Sequence, residues 1–145
     1  MHALTDASLS QAVTRDDRTL GRIAWHIVLS PPEMIGRTGL AMKSLSENAP
    51  LPSTAAAIAA AYDDVAAELA SLVQANWTDE TLEVEDDMYG MKWPRGLTLP
   101  LLLRHEVHHR GQMTILMRQA GIAVPGIYGP AREEWANLGM PVPEI

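Results

Sequence analysis

Three of the five histidines in this 145-residue chain lie within Arg104-His105-Glu106-Val107-His108-His109-Arg110-Gly111-Gln112. His105 and His109 are four apart, so on a helix they stand one above the other with Cβ atoms about 5–6 Å apart. Imidazole nitrogens bind zinc and similar ions at about 2.0–2.1 Å, and a His-x-x-x-His pair therefore suits two cis ligands of a tetrahedral or more open site. A third ligand must come from elsewhere. The candidate is His26, three residues after Ile23 and next to Ile27 on an apolar stripe. Its residues alone read more readily as a buried imidazole satisfied by hydrogen bonds, with metal ligation as the other reading.

His105-Glu106-x-x-His109 also matches the zincin pattern, in which two histidines bind zinc and the glutamate activates water. The metzincin extension fails, because Gln112 and Ile115 occupy the positions of the required glycine and histidine. A glutamate third ligand would have to be Glu133 or Glu134, in a turn-rich tail, and no strand-rich lobe is expected that could hold a peptide. A peptidase is therefore disfavoured. His108 lies about 100° round the helix from His109 and, with Glu106, belongs behind the ligands, at an interface or on the surface.

The histidine segment lies within an expected helix from Leu97 to Ala120, with Thr98 as cap, Pro100 in the first turn and Gly121 as stop. Leu101/Leu102, His105, His109, Gln112 and Leu116 form its inward stripe. Two imidazoles stacked on a buried face are costly to leave half-satisfied, which favours a shared metal over plain packing. His26 belongs to a first helix over 19–30, capped by Thr19 and stopped by Pro31-Pro32. Ser30-Pro31-Pro32-Glu33 then reads as a fresh helix start at an angle, running through Met34, Ile35 and Gly36 towards Gly39. Residues 44–52 form a loop. Ser53 caps an amphipathic helix with Ile58, Tyr62, Val65, Leu69 and Leu72/Val73 inward, and Asp63, Asp64 and Glu68 on a solvated face.

Residues 75–97 show no helical period. Their aromatic and methionine content predicts a long ordered loop, a lid or wall over the bundle end, with the acidic run 83–87 in solvent. Tyr89, Trp93 and Gln112 are candidates to line an approach to the histidines. Residues 1–18 read as an irregular lead-in with a turn or two of helix. The tail 121–145 reads as a turn-rich wrap with a two-turn element between Pro130 and Gly139.

Composition sets the limits. At 47% apolar content the chain is one domain, 1–145, large enough to bury a core. Without cysteine it has no disulfide, Cys-type zinc site or thiol nucleophile of its own. No signal peptide or membrane span is read, so a cytoplasmic location without membrane insertion is expected. A net charge of −7, with no basic run, disfavours nucleic acid.

Three segments resemble the DinB/YfiT-like family of metalloenzymes: Leu20-Gly21-Arg22-Ile23-Ala24-Trp25-His26-Ile27, His105-Glu106-Val107-His108-His109-Arg110-Gly111-Gln112, and Val124-Pro125-Gly126-Ile127-Tyr128-Gly129-Pro130. The resemblance implies an all-α four-helix bundle, usually dimeric, with a metal at one end. It also implies a three-histidine site mapping onto His26, His105 and His109, which holds a divalent transition metal, zinc or nickel foremost. Relatives include thiol S-transferases and isomerases using low-molecular-weight thiols, and metal-dependent hydrolases. The implied function is therefore thiol transfer to an electrophilic small molecule, with hydrolysis by metal-activated water, or a non-enzymatic metal-stabilised binding module, as alternatives. The family name refers to damage-induced regulation, a stress response, and not to DNA binding. One departure stands out: relatives carry a long helix before the one bearing the first histidine, so here the first bundle helix is expected to be shortened or missing.

Overall fold

The computed structural model describes residues 1–141 and Glu144; Val142, Pro143 and Ile145, the last of the tail, lie outside the described residues. Helix α1 spans Leu20–Gly36, and the Thr19 hydroxyl accepts from the Arg22 N–H at 3.2 Å to start it. The expected break at Pro31-Pro32 does not occur. These prolines remove the N–H groups that would reach the Ile27 and Val28 carbonyls, yet the helix continues because Pro32, Met34 and Ile35 are buried on its far side. The Ser30 hydroxyl, expected to cap a new helix, instead donates back to the His26 carbonyl at 2.7 Å.

Helix α2, Ala55–Asn76, is capped by Thr54 and not Ser53. Ile58 and Val65 on the expected stripe are buried. Glu68 is not simply solvated, since it accepts from the backbone N–H groups of Lys43 and Ser44 at 2.8 Å each and so ties down the preceding loop.

The connection before the last helix is ordered, as expected, and carries more regular structure than its composition suggested. A single turn α3, Asp79–Leu82, leads into a hairpin of β1, Glu85–Met88, and β2, Met91–Pro94, paired antiparallel from Glu85↔Pro94 to Met88↔Met91. Tyr89 and Gly90 make its turn with φ of 58° and 81°, the positive values a two-residue hairpin demands. Asp86 departs from the solvated reading: it is buried and held by Arg95 through two hydrogen bonds of 2.9 and 2.7 Å. Met88 packs with Met34 and Leu102, and with Leu69 beside them, in a small core that fastens the hairpin to the long helices.

Helix α4, Thr98–Gln119, ends before Gly121 with φ of 74°. Thr98 does not cap it. It is buried inside the first turn, and its hydroxyl accepts from the Trp93 indole at 3.2 Å.

These pieces form an all-α bundle of three long helices among the described residues, with α1 in the middle. It packs along both α2 and α4, whose backbones stay apart and which meet through side chains such as Tyr62 and Glu106. Its buried residues accordingly include Leu20, Ala24, Trp25, Ile27 and Val28, too wide a set for one face. The lead-in forms only the 3₁₀ turn Asp6–Ser10, as anticipated from the weak pattern there. It is pinned at two points: the Asp6 carboxylate accepts from the Ala55 N–H at 2.7 Å, and Leu9 sits on Gly21, where a Cβ would come within 3.1 Å of it. The tail returns along α4, Val124 buried, and its 3₁₀ element Arg132–Leu138 is anchored by an Arg118–Glu133 ion pair of 3.2 Å.

Candidate metal centre

Helix α1 delivers His26 and helix α4 delivers His105 and His109. The Nε2 atom of His105 lies 3.1 Å from that of His26 and 3.1 Å from that of His109. The rings are mutually edge-on, with centroids 4.5–4.9 Å apart. Two nitrogens bound at about 2.05 Å with a tetrahedral angle between them lie about 3.3 Å apart, so the spacing fits shared coordination of one ion. One ligand atom from each of the three residues lies within 4.8 Å of the others.

Proton accounting supports the fit. His109 Nδ1 donates to Gln112 Oε1 at 2.7 Å, which leaves its Nε2 as a lone pair. Both short contacts then run through His105 Nε2, which carries at most one proton. At most one of them is therefore a well-directed hydrogen bond between neutral rings, whereas a cation between the three nitrogens satisfies both. Protonation is opposed: His26 is pushed down to about 4 by burial first, then by His109, His105 and Arg18. Burial and the neighbouring His109 also lower His105. His105 Nδ1 is buried with no hydrogen-bond partner. Three imidazoles converging ring nitrogens on one point could hold a divalent ion.

The other residues singled out from the sequence are distributed around this point. Gln112 reaches both His109 and, through its Nε2 at 3.3 Å, His108, which is exposed. Glu106 turns towards α2, where its Oε1 accepts from the Tyr62 hydroxyl at 2.8 Å and pairs with Arg110 at 3.3 Å. Burial and this carboxylate push the Tyr62 phenol up to about 12. The zincin geometry is thereby lost, because the glutamate is committed away from the histidines. Glu134 binds the Gly126 and Ala131 amides, and Glu133 binds Arg118. Trp93 is spent on Thr98. Tyr89 lies under the Arg37 guanidinium, 4.2 Å from ring centroid, and Arg37 pairs with Glu33 at 3.5 Å.

Residues 1–144 match the family model described as the DinB family. This chain belongs to the DinB family. Among its relatives, YrdA of Bacillus subtilis (strain 168) is 43% identical over 145 residues, covering 100% of this chain and 87% of that protein. The crystal structure of a DinB-like protein from Bacillus cereus ATCC 10987 superposes with a TM-score of 0.82 at 43% identity, over 88% of this chain and 85% of that one.

Two residues of this DinB-family chain escaped the sequence reading. Arg18 and Glu33 both lie close enough to act on the histidines: Arg18 opposes protonation of His26 and His105, and Glu33 favours it. Glu33 was legible in principle, since it is seven positions after His26 and so two turns along the same face. Arg18 was not, because the lead-in before Thr19 has no period from which its direction could be read.

Proposed function

We propose that the protein is a metal-dependent enzyme whose ion is held by His26, His105 and His109, and that it transfers a low-molecular-weight thiol to an electrophilic small molecule. The observation that carries this is the convergence of three Nε2 atoms from two helices. Three imidazoles leave at least one position open, the mark of a catalytic rather than a structural zinc-type site. A divalent ion bound there, zinc or nickel foremost, supplies Lewis-acid chemistry that lowers the pKa of a bound thiol and so provides a thiolate at neutral pH.

The chain's own part is positional. Gln112 fixes the His109 tautomer so that Nε2 faces inward, and burial keeps His26 and His105 neutral without competition from protons. The absence of cysteine means that the sulfur belongs to a substrate. Thiol transfer is favoured over hydrolysis because Glu106, the residue placed to activate water in a zincin, is engaged by Tyr62 and Arg110. A cytoplasmic homodimer acting on small molecules is the setting this reading expects.

The test is metal content by mass spectrometry on untagged protein, comparing wild type with His26→Ala and His109→Ala, followed by screening thiols against electrophiles. One ion per chain in wild type, lost in both variants, supports the site. A metal-free wild type, with variants that behave as ordinary core substitutions, would return the histidines to a structural role.

A further inference from the structure

The lead-in, Ile23 of α1 and α4 line a half-open cavity of about 420 Å³ with His109 at its edge, a volume within the range of small-molecule sites. Val13, Ile23, Ile115 and Leu116 give it apolar walls, and Arg18 supplies a cation. Asp17 also lines it, but its Oδ2 is taken by the Thr14 N–H and hydroxyl at 3.0 and 2.9 Å. Arg15 is paired with Asp16. Arg18 has no ion-pair partner among the described residues. It stands one residue before Thr19, so the positive end of α1 adds to its field.

We propose that this cavity selects a substrate with a carboxylate and a short apolar body, Arg18 holding the carboxylate while the reacting group lies towards His109. The proposal rests on the thiol-transfer reading and narrows its substrate class. Three features carry it. A planar guanidinium binds a carboxylate through two parallel hydrogen bonds. It does so here beside Ile23 and Leu116, whose buried side chains give the carboxylate's apolar body a surface to pack on. Finally, Arg18 is, among the described residues, the one arginine or lysine lining a cleft that His109 also lines, so it sets where an anion can settle there.

The experiment uses the zinc-loaded full chain and calorimetric titration with 3-mercaptopropionate and its uncharged analogue 3-mercaptopropionamide. Wild type should bind the carboxylate at least about tenfold more tightly. Arg18→Gln should bind both alike, with zinc content and affinity for the amide unchanged. Equal binding by wild type, or a preference that survives Arg18→Gln, overturns the proposal. If the chain holds no zinc, the metal reading fails separately, and butyrate and butyramide are titrated against the same chain while the His109 ring signal is followed by NMR. A carboxylate preference that Arg18→Gln abolishes still supports the anion pocket; equal or absent binding refutes it.

Discussion

His26 and His105 are 79 positions apart in the chain, yet their Nε2 atoms meet at 3.1 Å. His105 and His109 are brought together by the helix itself, whereas His26 reaches them only through the packing of α1 on α4. The site is thus half local and half tertiary, and its behaviour can be probed at each level.

The first prediction concerns Gln112. Replacing it with leucine removes the acceptor that orients His109 and should weaken metal binding by about 10–100-fold. The chain should still take up one ion at saturation. A competition titration with a chromophoric chelator measures the loss, and an unchanged affinity would mean that packing alone holds the ring.

Acid should destabilise the metal-free protein through the histidines. Unfolded, His26 takes a proton near 6.5; folded, not until about 4. Between these values the unfolded chain binds more protons, so stability is full above about 6.5 and declines as pH falls towards about 4. His105, also lowered, acts in the same direction. Urea midpoints at pH 7 and pH 5 should differ more for wild type than for His26→Gln, and equal differences would show that His26 is freely solvated.

Glu106→Gln separates this site from a zincin. The carboxylate serves Tyr62 and Arg110, so the variant should keep its metal and lose about 1 kcal/mol or less of stability. Metal loss on this substitution would place the glutamate at the ion.

The Asp86–Arg95 pair is the polar anchor of the hairpin. Asp86→Ala leaves a largely buried guanidinium without its partner and should cost about 3 kcal/mol, a Tm drop of roughly 10 °C. The double variant Asp86→Ala, Arg95→Met should recover part of this. A scanning calorimeter decides, and a single variant as stable as wild type would mean that Arg95 finds water instead.

What was legible in the sequence was what repeats or caps. The spacing of Ile58, Tyr62, Val65 and Leu69 marked α2, and Gly121 marked the end of α4. The His105/His109 pair was visible because four-residue spacing is a property of one helix. His26 was harder, since an imidazole on an apolar stripe looks the same whether it faces leucine or two other imidazoles; the family resemblance turned the balance towards ligation. The Pro31-Pro32 pair misled because local backbone chemistry predicts a break, whereas burial of Met34 and Ile35 on the far side prevents one. The hairpin was hidden by its four-residue strands and by a turn of Tyr89-Gly90, in which a tyrosine takes the left-handed conformation that asparagine or glycine usually signals.

Because α1 is flanked by α2 and α4 but precedes both, its two apolar faces are covered at very different moments during synthesis. At about 5–20 residues per second, the ribosome needs several seconds after making His26 to deliver His109. Through that interval α2 can shield only one side of α1, and the other stays open to water or to a chaperone. Completion of the bundle therefore waits on the translation of α4, and the histidine centre closes with it.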